Sequence, residues 1–297
     1  MNFTVGPGII AGVRIRLAGS QPLHDPATGQ APHGNMRVIL DASEMTFASP
    51  LDLAGIAALG SRLSHDGHPV TLTLPEDGDV RRYLVRMDLV AQLAQADVTV
   101  DGDVPCVRRA DRADVLLEVR RICGPADAER FAGDAYELLG RHTSPSSAAA
   151  AAKMLGELLD NAITHANSPV GAFAAAQVHQ RGGDVQLAVA DAGIGIRSHL
   201  ARNPCFRDLA AADALSAALR PGVTGTSERR GNGLPDLLRT ASGFGGQLLL
   251  RSDTGYAQVK TASPDRRFSA AGHVRGTWAW VHVRLPREQR GMVSLHQ

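Results

Sequence analysis

The sequence contains very little lysine, few aromatic residues and only three cysteines. Two lysines, Lys153 and Lys260, stand against 29 arginines, and neither lysine follows a glycine. A phosphate-binding loop of the Gly-Lys-Ser/Thr type is therefore excluded, because that loop needs its lysine to reach the phosphates. The cysteines are too far apart for a zinc knuckle or a redox pair, so we expect reduced residues, mostly in the core, of a cytoplasmic protein.

Long apolar runs and a strong excess of one charge are also absent. No stretch of about 18 apolar residues occurs, and the first residues lack a basic region, so neither a membrane span nor a secretory signal is expected. The formal net charge is +1, which predicts no general attraction for nucleic acid or membranes. The 297 residues are 44% hydrophobic, enough for one large or two modest globular domains.

The first third of the chain divides into an arm and a small α/β domain. Residues 1–35 are rich in glycine, proline and histidine and predict an irregular arm or a β-hairpin. Residues 36–105 alternate between strand and helix patterns, which predicts a small α/β domain. Its strands are expected at MRVILDAS, HPVTLTLP and DVTVDG, and its helices over residues 50–62 and around VRRYLVRMDLVAQL.

A polar segment near residues 103–114 marks the expected boundary to a second domain over residues 106–290, followed by a tail at 291–297. The patterns predict helices at PADAERFAGDAYELLGRH, AAAAAKMLGELLDNAITHA and after GNG, and strands at DVLLEVRRI, DVQLAVADAGIG, GQLLLRSDTG and TWAWVHVRLP. In the last strand, Trp278 and Trp280 alternate. We expect them to face one side of a sheet rather than to stack on bases.

The long helix carries the first candidate motif. Glu157 and Asn161 are four residues apart and so lie one turn apart on one helix face. A carboxylate and an amide oxygen in that arrangement can orient a water molecule and bind a hard cation such as Mg²⁺. The alternative is an exposed glutamate and a helix-terminal asparagine on a solvated face.

The second motif follows a strand. Alternation places Asp191 on the same face as an apolar row, where its carboxylate can accept a hydrogen bond from the exocyclic amine of adenine. Gly193 and Gly195 come next and let the backbone pass close to a flat base. The alternative is an ordinary Asp-Ala-Gly turn.

The third motif is a glycine-rich turn directly before a helix. Backbone amides from Gly231, Gly233 and Leu234 can bind phosphate at a helix N-terminus without any lysine. The preceding segment supplies further phosphate-binding candidates and is expected to close over the nucleotide: Thr224, Arg229 and Arg230. The alternative is a flexible surface loop.

Taken in order, the three motifs resemble those of the GHKL ATP-binding family, over residues from about 115 to 287. The resemblance implies a Bergerat α/β sandwich with helices on one face of a mixed sheet, and ATP and Mg²⁺ as ligands. It implies Glu157 as the catalytic carboxylate, which acts as a general base or orients a water molecule, Asn161 as the Mg²⁺ ligand and Asp191 as the adenine-binding residue. The glycine pairs 193/195 and 231/233 correspond to the two glycine-rich boxes of the family.

No upstream histidine has the context of a phosphoacceptor, so the anti-sigma-factor serine kinases are the favoured branch. The stretch ILDASEMTFASPLDLAGIAAL resembles a STAS (anti-anti-sigma) domain, although Pro50 and Leu51 occupy the acceptor positions and Ser49 comes one or two residues early.

The resemblances together imply a Mg-ATP-binding regulatory protein. We expect a serine/threonine kinase that acts on a sigma-regulatory or STAS-type protein. The resemblances are also compatible with a homodimer. Two alternatives stay open: a nucleotide-gated interaction module without significant catalysis, and an ATP-dependent small-molecule enzyme on the same scaffold.

Overall fold

A computed structural model describes residues 12–17, 36–108, 110, 112–179, 183–225, 232–260 and 266–286. Within these residues the chain is a mixed α/β protein with one parallel and one antiparallel sheet. No helix in the described part of the chain combines the length and apolarity needed to cross a bilayer. Our expectation that most cysteines are in the core is wrong, because the side chains of Cys106, Cys123 and Cys205 are all exposed.

The first sheet has four parallel strands, and we call it with its helices the N-terminal unit. Its elements are β1 (Gly12–Arg16), β2 (Arg37–Asp41), α1 (Pro50–His65), β3 (Val70–Thr73), α2 (Gly78–Arg86), α3 (Leu89–Ala94) and β4 (Thr99–Asp101). The strands lie in the order β1-β2-β3-β4. Each strand pairs in parallel with the next. Helices connect the last three strands, and this alternation of strand and helix is the one that the sequence pattern predicted.

Two predictions for this unit need correction. Residues 12–16 pair with β2 in parallel, so this part of the predicted arm or β-hairpin is a strand of the first sheet, whereas residues 1–11 and 18–35 of that prediction lie outside the described residues. The single helix predicted around residues 80–93 is two helices, because Asp88 between them has φ 59. A left-handed residue cannot continue a right-handed helix.

The second sheet has five strands in the order β5-β6-β7-β9-β8. Its elements, with their helices, are β5 (Leu116–Ile122), α4 (Pro125–Gly140), α5 (Pro145–Thr164), β6 (Ala172–His179), β7 (Asp184–Asp191), α6 (Gly195–Leu200), α7 (Ala211–Ala218), α8 (Gly233–Gly243), β8 (Gln247–Lys260) and β9 (Arg266–Arg284). All neighbouring strands are antiparallel, so the prediction of a mixed sheet is wrong. Strand β6 was not predicted, because its sequence AFAAAQVH is rich in alanine, which has little strand preference.

Helix α1 lies between the two sheets. A Cβ atom on Gly60 would lie 3.3 Å from Leu40 of β2, and one on Gly55 would lie 2.5 Å from the Trp278 ring of β9. Most of the helix is buried, since 12 of its 16 residues, among them Leu51 and Leu53, are buried. A helix with apolar residues on most of its circumference is buried on more than one side, and α1 meets this condition between the two sheets.

The second sheet is therefore covered on both faces, and the expectation of helices on one face is wrong. Trp278 and Trp280 pair with alternate residues of β7 and both are buried on the α1 side. This confirms that the two tryptophans share one side of a sheet. Helices α5 and α8 contact the same sheet through its other residues, and the candidate site lies on that second face.

Candidate functional site

Helix α5 forms one wall of a cavity on the second sheet. Its start is set by Ser144, whose side chain accepts a hydrogen bond from the Ser147 backbone N–H at 3.3 Å, and by a proline in the first turn. The helix buries Leu155 and Leu159 against the sheet. Glu157 and Asn161 then lie one turn apart on the face that lines the cavity.

Strand β7 brings Asp191 to the floor of the cavity. Buried apolar side chains at alternate positions, Val185, Leu187 and Val189, precede it on the same face. The Asp191 carboxylate is 2% exposed and its Oδ1 accepts a hydrogen bond from the Gly193 N–H at 2.8 Å. Burial raises the pKa of Asp191 to about 7, although hydrogen bonds from the Gly193 and Thr277 backbones lower it.

The turn that follows Asp191 needs both of its glycines, for reasons that the sequence did not show. A Cβ atom on Gly193 would overlap the Ala166 carbonyl oxygen, to which the Ile194 N–H donates at 2.8 Å. Gly195 has φ +77, and a Cβ atom there would lie 2.7 Å from the Ser252 hydroxyl. Gly195 lines the cavity, whereas Gly193 lies behind it in a second depression and approaches protein rather than a ligand.

The N-terminus of α8 lies over α5. Helix α8 begins at Gly233, where a Cβ atom would lie 2.9 Å from Glu157 Oε2 and 3.6 Å from Asn161 Nδ2. The first backbone N–H groups of a helix have no partner within the helix and carry its positive dipole end. These amides therefore point positive charge at the region beside Glu157 and Asn161.

The cavity has a volume of about 370 Å³, within the range of about 300 to 1,000 Å³ that holds small ligands. The predicted site residues that line it are Glu157, Asn161, Asp191, Gly195, Thr224, Gly233 and Leu234. Its apolar walls come from Val189, Ile196, Leu200, Leu250 and Ala279. Three other predicted residues, Arg229, Arg230 and Gly231, lie outside the described residues.

The polar end of the cavity contains a partly buried acid and an unsatisfied amide. Burial raises the pKa of Glu157, and the charges of Asp160 and Asp236 raise it further, while Lys153 lowers it. The Asn161 Nδ2 atom is buried and has no hydrogen-bond partner among the described residues. A buried donor without a partner is costly, so this side chain is suited to a polar ligand that would satisfy it.

No group of three or more histidine, cysteine or acidic side chains suited to a metal occurs in the described ranges. A divalent cation at Asn161 would therefore take most of its oxygen ligands from bound phosphates and water, as Mg²⁺ commonly does.

Two residues of the site were missed at the level of sequence. His199 lines the cavity with its ring 4.6 Å from that of His165, and burial, with the nearby His165 and Arg202 charges, lowers the pKa of His199 to about 4. Ser252 of β8 accepts a hydrogen bond from the Ile196 N–H at 2.8 Å. His199 could have been found from the sequence, because it lies four residues after Gly195 and so on the same face of a helix that begins there. Ser252 is distant in sequence from the motifs, and no sequence pattern pointed to it.

Compared with protein-family models and with curated proteins, the chain matches none of them.

Proposed function

We propose that the chain binds Mg-ATP in this cavity and transfers the γ-phosphate to a serine or threonine of a protein partner, as the anti-sigma-factor kinases of the GHKL family do. The observation that carries the proposal is that residues from three separate motifs, Glu157 with Asn161, Asp191, and Gly233, line one cavity. In this proposal the fold around the cavity is a Bergerat-type sandwich whose second sheet face is covered by α1.

The chemistry of the two ends of the cavity fits the two ends of ATP. At the floor, the buried Asp191 carboxylate can accept from the adenine amine while Val189 and Ile196 contact the flat ring. At the other end, the first amides of α8 supply phosphate-binding donors without a lysine. Asn161 would hold Mg²⁺, which neutralises phosphate charge and polarises the phosphorus–oxygen bonds when it is bound.

Glu157 is the candidate general base. Burial makes its carboxylate more basic than an exposed one, and it lies beside the start of α8, where the phosphates would sit. Glu157 would accept the proton of the partner's hydroxyl group as that oxygen bonds to the γ-phosphorus and ADP leaves.

Ser49, the candidate acceptor that the STAS resemblance offers in the N-terminal unit, is not placed to receive the phosphate. Ser49 is 2% exposed and caps α1, with its hydroxyl donating to Asp52 Oδ2 at 2.6 Å and accepting from the Asp52 N–H at 3.3 Å. A hydroxyl held in this way cannot reach an external phosphate donor. We propose a STAS-type or sigma-regulatory protein as the partner.

Calorimetric titration of the full chain with Mg-ATP tests the binding step. Asp191→Asn should weaken ATP binding about 10- to 100-fold, because it replaces a charged acceptor with an amide. The matched control is Asp184→Asn, the same change at the opposite end of β7, which should leave the affinity unchanged. Absence of ATP binding by the unmodified chain would refute the proposal.

Transfer of labelled γ-phosphate tests the catalytic step. With [γ-³²P]ATP and protein fractions from the cells that produce this chain, we expect acid-stable label on a partner protein. Glu157→Ala should abolish this labelling while ATP still binds. Glu129→Ala, an exposed change on α4, is the matched control and should transfer normally. Hydrolysis of ATP without label on any protein would contradict the kinase proposal.

A second candidate, a nucleotide-gated interaction module, is supported by the contact of α1 with the back of the nucleotide sheet. In that case ATP changes the packing of the N-terminal unit and no phosphate is transferred. The Glu157→Ala variant distinguishes the two candidate functions. A nucleotide-gated module should keep its biological activity in this variant, whereas a kinase should lose it.

A further inference from the structure

The C-terminal end of α1 contacts the turn that carries Asp191. Arg62 Nη1 donates to the Ala192 carbonyl oxygen at 3.2 Å, while its Nε donates to both oxygens of Asp66 at 2.9 and 3.0 Å. The Arg62 side chain is 15% exposed. Ala192 immediately follows Asp191, so a side chain of the N-terminal unit is bonded to the backbone beside the proposed adenine acceptor.

The same end of α1 also reaches the strand segment behind Asp191. Asp66 accepts from Arg275 Nη1 at 2.8 Å, and the next residue, Gly276, lies so close that its Cβ atom would be 2.5 Å from Asp191 Oδ1. Arg62 therefore contacts the backbone on one side of Asp191, and Asp66 contacts the side chain of Arg275, the residue before Gly276 on the other side.

The remaining supports of this turn come from within the second domain. The Ser252 hydroxyl accepts from the Ile196 N–H and donates to the Gly276 carbonyl, each at 2.8 Å. The Ala166 carbonyl accepts from the Ile194 N–H at 2.8 Å. The bonds to Ile194 and Ile196 hold the far end of the turn, and the Ser252 bond to Gly276 holds the strand segment beside Asp191. Arg62 bonds to the residue that directly follows Asp191.

From this geometry we infer that Arg62 is a positioning residue for adenine binding, through which the N-terminal unit regulates the nucleotide site. The inference rests on the proposed ATP site and deepens it. If the unit shifts relative to the second sheet, the Arg62 bond to Ala192 breaks, and the turn whose Gly193 N–H donates to Asp191 Oδ1 loses one of its supports. By linkage, ATP binding must in turn favour the docked position of α1.

Base selectivity distinguishes this role from a general loss of structure. Arg62→Ala should weaken ATP binding to the full chain by about tenfold, within the range usual for coupled sites. GTP carries the same ribose and phosphates but a different base edge, so its affinity should change less than about twofold, and the ratio of the two affinities falls. Equal weakening of both nucleotides would overturn the inference, because it indicates a merely structural role.

Two further variants complete the test. Arg62→Lys keeps the charge but lacks the forked donor that reaches Asp66 and Ala192 together, so it should restore only part of the selectivity and serves if Arg62→Ala does not fold. Arg82→Ala removes an exposed ion pair with Asp79 on α2 and should leave both affinities unchanged.

Hydrogen exchange gives a readout that is independent of affinity. Saturating ATP should slow exchange of the amides at residues 62–66 in the unmodified chain and not in Arg62→Ala. If the unmodified chain binds no ATP, the proposed function and this inference both fail. If it binds ATP and Arg62→Ala has unchanged affinity and exchange, only this inference fails.

Discussion

Asp191 gives the sharpest prediction about stability, because a buried carboxylate without a nearby opposite charge must cost free energy. Burial raises its pKa from the ordinary 3.8 to about 7. We predict that Asp191→Asn, which impairs ATP binding, makes the nucleotide-free protein more stable at pH 8. Burial of a charged group that binds a ligand commonly lowers the stability of the ligand-free protein.

The magnitude follows from the two pKa values. The folded protein holds the Asp191 proton up to about pH 7, while the unfolded chain releases it near 3.8, so folded Asp191 binds more protons in that window. Stability therefore falls as pH rises through the window, and the cost is complete above pH 7. The difference between the folded and unfolded pKa values of Asp191 lowers the free energy of unfolding by about 4 kcal/mol at pH 8 and by about 2 kcal/mol at pH 5.5.

Urea unfolding of both proteins without nucleotide, at pH 8 and at pH 5.5, measures the effect. Asp191→Asn should be the more stable protein, by up to about 4 kcal/mol at pH 8, and its advantage should shrink by about 2 kcal/mol at pH 5.5.

Asp184→Asn is the control with the opposite sign. Burial raises the pKa of Asp184, but its bonds to Arg284 and His282 outweigh burial and lower it overall, so this variant should lose stability. Equal stabilities of Asp191→Asn and the unmodified chain at pH 8, or a difference independent of pH, would refute the reasoning.

Three further predictions concern packing, capping and acid sensitivity. Gly55→Val should destabilise the protein by about 1–3 kcal/mol and shift the Trp278 fluorescence, because its side chain would overlap that ring. Ser49→Ala removes a capping box and should cost about 1 kcal/mol in urea unfolding, with no loss of phosphotransfer. The pKa of His199 is about 4 in the folded state, so stability should fall as pH drops from 6.5 towards 4, and His199→Gln should remove that part of the acid sensitivity in pH-dependent unfolding.

Local periodicity in the sequence correctly predicted which side of a helix or strand several site residues occupy. Helical spacing placed Glu157 and Asn161 on one face of a capped helix, and strand alternation placed Asp191 at the end of a buried apolar row, as the structure has them. These features depend on residues a few positions apart, and the backbone geometry of a helix or strand determines their side without reference to the rest of the chain.

Pairing and packing between distant segments were not predictable in this way. An alanine-rich segment became the strand β6 because two neighbouring strands cover both of its edges. Gly193 proved necessary for its approach to Ala166 rather than for a ligand, and Ser252 and Arg62 joined the site from elements with no motif of their own.

The sequence by itself determined most of the helices and strands, although not β1 or β6, as well as the absence of a lysine-based phosphate loop and the residue types available for a nucleotide. Only the tertiary structure decided that α1 is shared by two sheets and that its Arg62 reaches the turn after Asp191. The physical reason is that side-chain spacing determines which side of a helix or strand is apolar. Which other element covers that side depends on how well segments that are distant in sequence fit together.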